Sequence, residues 1–191
     1  MNETNAARVK NYEGRGAPNV LLAFADICTT LSTINGFRSH MDNKRFTVLL
    51  VEDDLNDIFL VKRAFKMAQV KNPLQIVTDG HEAILYLRGE GKYADRETYP
   101  IPKLVVMDIK MPRKSGFEVL EWVKGNGRPL RRIPVVIVSS SDNPDDINRA
   151  YELGANAYMV KPVDFRAVEH LFHSITQYWG LECAKPELEP A

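Results

Sequence analysis

Five short apolar runs, separated by segments of helical periodicity, constrain this chain more than any other feature. They fall at residues 47–51, 74–77, 104–107, 134–138 and 157–160. An apolar run of four or five residues without polar alternation suits a strand covered on both faces. Between the runs, residues 55–69 place Phe59, Ala64, Phe65 and Ala68 near helical spacing. A second helix is predicted over 81–87 and a third over 116–124. Asn143-Pro144-Asp145-Asp146 opens a fourth, with a cap, a proline in the first turn and two acids against the positive dipole end. Gly154 closes it. The last helix carries Phe165, Val168, Leu171, Phe172, Ile175 and Trp179 on one stripe, expected to be mostly core. A long polar loop, residues 88–102, follows the second helix.

Strict alternation of strands and helices predicts an α/β fold, a doubly wound parallel sheet with helices on both faces. In such sheets the functional crevice lies beyond the C-terminal ends of the strands. Those ends are therefore where chemistry should be sought. The first run ends in Glu52-Asp53-Asp54, the third in Asp108, the fourth in Ser139-Ser140-Ser141 and the fifth in Lys161-Pro162. Singly, each is ordinary: a strand-end aspartate usually caps a helix or forms a turn. Together they are not. Several carboxylates converging beside one lysine repel one another unless a cation joins them. Hard oxygens that fill only part of a coordination shell suit Mg²⁺, which keeps several waters and accepts a phosphate oxygen. An aspartate held there could attack phosphorus, with the metal and lysine neutralising the charge on the transferred group.

The segments VEDD at 51–54, MDIKMPRKSG at 107–116, PVVIVSSS at 134–141 and GANAYMVKP at 154–162 resemble the four signatures of response-regulator receiver domains. The resemblance covers about residues 45–179 and implies a CheY-like, flavodoxin-like sheet of strand order 2-1-3-4-5. It implies Asp108 as the phosphoacceptor and Mg²⁺ held by Asp53, by Glu52 through water, by Asp108 and by the backbone carbonyl of Lys110. It also implies Ser139 as the switch hydroxyl, Tyr158 as its aromatic partner and Lys161 as the family's lysine. The partner it implies is a sensor histidine kinase. The loop at 88–102 and the ending Tyr178-Trp179 look like single-domain regulators paired with phytochrome-type kinases. One departure is Lys110, where many relatives carry a neutral polar residue; it is expected to alter how fast water removes the phosphoryl group.

Two other readings compete. A hydrolase with an aspartyl-phosphate intermediate, of the haloacid-dehalogenase type, expects a second Asp two residues after the nucleophile, where this chain has Lys110. A degenerate receiver acting only as a docking module is disfavoured by the complete set of Glu52, Asp53, Asp108, Ser139 and Lys161. Gly91-Lys92 lacks the Ser/Thr and upstream glycine of a phosphate-binding loop, and His81-Glu82 lacks the second histidine of a zinc protease.

Composition sets outer bounds. The chain has 191 residues with Lys plus Arg equal to Asp plus Glu at 25 each, so no overall charge favours nucleic acid or an anionic membrane. No apolar run approaches the ~20 residues of a membrane helix, and a cytoplasmic protein is expected. Cys28 and Cys183 lie near opposite ends and are expected to be reduced thiols. Residues 45–179 are expected to form the domain. Residues 1–44 form an extension in which 19–34 shows one apolar helical face; translation starting at Met41 is the competing account of it. The tail, 180–191, is too short for a helix-turn-helix module. Action through protein contacts is therefore expected, including a homodimer through the last helix.

Overall fold

A computed structural model describes residues 46–67, 69–127 and 129–177. The element order is β1 (Val48–Val51), α1 (Leu55–Met67), β2 (Leu74–Val77), α2 (Gly80–Arg88), β3 (Leu104–Met107), α3 (Gly116–Gly125), β4 (Val135–Ser139), α4 (Pro144–Glu152), β5 (Ala157–Val160) and α5 (Phe165–Gln177). All strand pairs are parallel, in the order β2-β1-β3-β4-β5. The doubly wound sheet expected from the alternation is the one that forms.

Every residue of β1, β3 and β4 is buried. Successive side chains point to opposite faces. Leu49, Val51, Val105, Met107, Val135 and Ile137 thus meet Ala83, Leu87, Val119, Leu120, Val123 and Ala150 from α2, α3 and α4. Leu50, Val106 and Val138 border Val61, Val168 and Phe172 from α1 and α5. Those two helices pack on each other, with the Phe65 and Phe172 rings 6.3 Å apart. Burying side chains of this size contributes roughly 1.5–3 kcal/mol each, which is what holds the strand ends in register.

The apolar stripe of α5 is core at Val168, Phe172 and Ile175, as expected. The Phe165 side chain, Ala68, Tyr178 and Trp179, both cysteines and the apolar face at 19–34 lie outside the described residues. Phe59 is a correction. Helix α1 turns Ile58, Val61, Ala64 and Phe65 inward, and Phe59, one position round from Ile58, is 61% exposed. The stretch 88–102 is also more ordered than a polar loop. Gly89 ends α2 in the left-handed region, and a 3-10 turn covers Gly91–Tyr93. The Arg96 guanidinium donates to the carbonyls of Tyr86, Leu87 and Tyr99. It closes the carbonyl end of α2 where a further helical turn would have done so. The Tyr86, Tyr93 and Tyr99 rings stack edge to face beside it.

Gly116 is demanded by packing. A Cβ there would overlap the carbonyl oxygen of Asp108, because α3 starts directly under the end of β3. Gly116→Ala should therefore lower stability by about 1–3 kcal/mol through overpacking. Urea unfolding measures this directly, and an unchanged midpoint would show that the loop can move aside.

Candidate functional site

Register alone brings the strand ends together. Val51 pairs with Met107 and Met107 with Ile137, so Glu52 and Asp108 emerge side by side. The Asp108 N–H donates to the Val51 carbonyl at 3.1 Å, and the Glu52 N–H to that of Val77 at 3.1 Å. Across the sheet Ser139 pairs with Val160, and the Lys161 N–H donates to the Ser139 carbonyl at 2.7 Å. Four consecutive strands thus present their terminal side chains to one crevice.

Lys161 occupies its centre. Its Nζ lies 2.7 Å from Glu52 Oε2, 2.7 Å from Asp108 Oδ2 and 2.8 Å from Asp57 Oδ2. An ammonium has three N–H donors, and here each finds one carboxylate. Burial disfavours the charge on Lys161, but hydrogen bonds to Asp108, Asp57 and Glu52 overcome it and hold the lysine above its usual range. Burial pushes the Glu52 carboxyl up, with Lys161 opposing that shift. The second oxygen of Asp108, Oδ1, accepts from the N–H groups of Ile109 at 2.6 Å and Lys110 at 3.2 Å. Asp108 is 6% exposed and oriented from both sides.

The remaining predicted residues sit around this centre. Asp53 is exposed, and no hydrogen bond or ion pair of its carboxylate is found among the described residues. Lys110 is exposed. Ser139 is fully buried, and its Oγ accepts from the Ser141 N–H at 3.4 Å. The Tyr158 hydroxyl donates to the Ser141 carbonyl at 2.8 Å, so the ring is turned inward. Burial raises its phenol. Ser141 Oγ donates to Asp146 Oδ2 at 2.6 Å, tying the same segment to α4.

Asp57 was not among the residues the sequence singled out. It sits in the first turn of α1, three residues after Asp54, whose carboxylate accepts from the Asn56 and Asp57 N–H groups. An acid there reads as an ordinary complement to the helix dipole. The available signal was its spacing, one turn past the acidic pair and on the side facing Lys161.

The donor set fits a divalent cation. Glu52, Asp57 and Asp108 carry three formal negative charges against one positive charge on Lys161, and Asp53 follows Glu52 directly in the chain. Lys161 Nζ stands among the three carboxylates, and among the described residues no group of three His, Cys, Asp or Glu side chains forms a metal cage by itself. Hard carboxylate oxygens of this kind suit a divalent cation that keeps several of its waters.

Comparison with known proteins agrees with this geometry. The response regulator receiver domain model matches residues 48–173. Response regulator Rcp1 of Synechocystis sp. is 36% identical over 141 residues, covering 74% of this chain and 93% of Rcp1. The crystal structure of the phosphorylated cyanobacterial phytochrome response regulator RcpA superposes with a TM-score of 0.70 at 35% identity, covering 75% of this chain and all of that one (100%). The Mn²⁺-bound form of Rcp1 gives a TM-score of 0.67 at 34% identity, covering 74% and 99%. In fold, strand-end acids and lysine, this chain belongs to the response-regulator receiver family, whose members act as phosphoacceptors for sensor histidine kinases and bind a divalent metal at this crevice.

Proposed function

We propose that Asp108 is the phosphoacceptor of a two-component phosphorelay and that the metal used is Mg²⁺. The observation that carries this is the placement of Asp108, buried, with one oxygen on Lys161 Nζ and the other on two backbone N–H groups. A carboxylate so held presents a fixed lone pair to an incoming phosphorus atom. Asp108 attacks the phosphorus of a kinase phosphohistidine; the new P–O bond forms as the P–N bond breaks, and the released imidazole nitrogen takes a proton. Lys161 stays beside the transferred group and balances its charge. Asp53, Asp108 and the Lys110 carbonyl would hold Mg²⁺, with Glu52 acting through water. When bound, the ion neutralises charge on the phosphoryl oxygens. Turnover by slow hydrolysis makes the protein a stoichiometric acceptor and not an enzyme. The docking-only alternative is not favoured, because Lys161 holds Glu52 and Asp108 together at the strand ends.

Signalling would follow from the added charge. Ser139 Oγ–H turns to a phosphoryl oxygen, which disturbs the 139–141 segment that both Ser141 and Tyr158 hold. The face built from α4, β5 and α5 then changes its partner preference. Tyr151, Val160 and Val163 are exposed apolar side chains along those elements, and a second copy or another protein docks there. The kinase side is different. Leu55 and Phe59, 75% and 61% exposed, lie at the start of α1 beside Asp57 and offer an apolar footing next to the crevice. The relatives make a phytochrome-type kinase the proposed donor. We place the reaction in the cytoplasm; no described helix is long and apolar enough to cross a membrane.

Incubation with Mg²⁺ and acetyl phosphate should yield a base-labile, acid-stable adduct on the wild type and none on Asp108→Asn; an adduct surviving in that variant would defeat the proposal. Lys110→Asn should change the phosphoryl lifetime by at least about twofold, since a flexible cation near the acceptor affects water's approach; equal lifetimes would remove that role. Phe59→Asp should slow labelling by a cognate kinase about tenfold or more, as loss of an interface anchor does, while labelling by acetyl phosphate stays at the wild-type rate. Slowing of both would refute a docking role for Phe59.

A further inference from the structure

The loop after Asp108 carries one residue whose backbone is hard to explain by local preference. Arg113 has φ +64°, in the left-handed region where a bulky L-residue is unfavourable. Its guanidinium reaches Asp79, at the start of α2. Asp79 is fully buried (0%) although it carries a carboxylate. Its Oδ1 accepts from the Glu82 N–H at 2.9 Å as the cap of α2, and its Oδ2 takes Arg113. The two loops touch elsewhere as well: a Cβ on Gly80 would overlap the carbonyl oxygen of Lys114. Between these anchors the acceptor loop is tightly folded, with Lys114 N–H donating to Pro112 at 2.7 Å and Gly116 N–H to Ile109 at 3.1 Å.

We propose that the Arg113–Asp79 pair is a positioning pair for the divalent-metal site, holding the loop so that the Lys110 carbonyl keeps a fixed direction. This rests on the proposed role of that carbonyl. The Lys110 side chain is exposed, so it does not anchor the peptide. The backbone on its N-terminal side is fixed by Asp108 Oδ1. On its C-terminal side Met111 packs against the core, and the nearest polar side-chain anchor reaching outside the loop is Arg113. A backbone outlier beside a functional residue, held by a buried partner, is the pattern expected where structure over-determines a conformation for use. Partners that orient metal ligands from behind commonly govern affinity more than they govern the chemical step.

The test uses the full chain and Mn²⁺ as probe, with free Mn²⁺ followed by electron paramagnetic resonance. Arg113→Ala should weaken Mn²⁺ binding by about threefold to tenfold. Labelling by acetyl phosphate at saturating Mg²⁺ should stay within about twofold of wild type. The sign is informative, because removing a cation near an acidic crevice would by charge alone tighten metal binding. Unchanged or tighter binding in a folded variant overturns the proposal. If Arg113→Ala does not fold, Arg113→Lys decides: it keeps the charge but lacks the planar fork, so weakened binding supports the pair and wild-type affinity overturns it. A wild-type chain that binds no Mn²⁺ defeats the metal reading itself, and this inference with it. A wild type that binds with Arg113→Ala unaffected removes this inference alone.

Discussion

The site exists because one ammonium is shared by three carboxylates. Two bare carboxylates about 4 Å apart repel by roughly 4 kcal/mol at an effective dielectric near 20, so Glu52 and Asp108 could not stand side by side without a cation. Lys161 supplies it, with one N–H for each of Glu52, Asp57 and Asp108. It also leaves the crevice formally short of positive charge. A lysine that neutralised the acids fully would leave nothing for a metal ion to answer. One that was absent would leave the acids apart or protonated. The Glu52 carboxyl is pushed up by burial, and Lys161 works against that shift.

That sharing depends on the sheet order. Lys161 follows β5 and Asp108 follows β3, with β4 between them. The lysine reaches across one strand end to the acids, and its own N–H is fixed to the last residue of β4. Sheet register therefore sets how far its Nζ stands from Asp108. The apolar content of the strands is thus part of the chemistry: Val105, Val106 and Met107 are almost wholly buried, and they fix the height at which Asp108 emerges. Gly116 acts in the same direction, since its missing Cβ lets α3 start against the Asp108 carbonyl.

The fold was legible in the sequence because burial on both faces leaves an unmistakable trace. β2, β3 and β5 span the very residues that the apolar runs marked, and the other boundaries moved by a residue or two. Pro134 stands just before β4 and contributes its carbonyl to Val105, where a proline costs no ladder donor. What escaped was whatever depends on direction round a helix or on long side chains. Phe59 and Ile58 are neighbours in sequence, and hydrophobicity does not say which one turns inward; α5, packed on α1, selects Ile58, Val61 and Phe65. Asp57 was hidden because an acid in a first turn is common. The loop at 88–102 looked unstructured because its order comes from Arg96 and three tyrosines, whose contacts no local pattern encodes.

Under the proposed function the coupling between Asp108 and the surface would run through a three-residue backbone segment. Ser139 ends β4 with its hydroxyl buried. Two residues later Ser141 gives its N–H to that hydroxyl, its carbonyl to Tyr158 and its own hydroxyl to Asp146 on α4. Under the proposed function a phosphoryl oxygen accepts the Ser139 O–H and draws the hydroxyl away from the Ser141 N–H, which now lies 3.4 Å from it. Drawing it inward leaves the Ser141 N–H in need of a new acceptor, and a buried N–H left without one is costly. The segment must therefore shift as a unit. Its two other bonds run to α4 and β5, so the shift is delivered to the face those elements form. On that proposal a change of charge at one buried carboxylate would become a change of shape at the surface without requiring any rearrangement of the sheet.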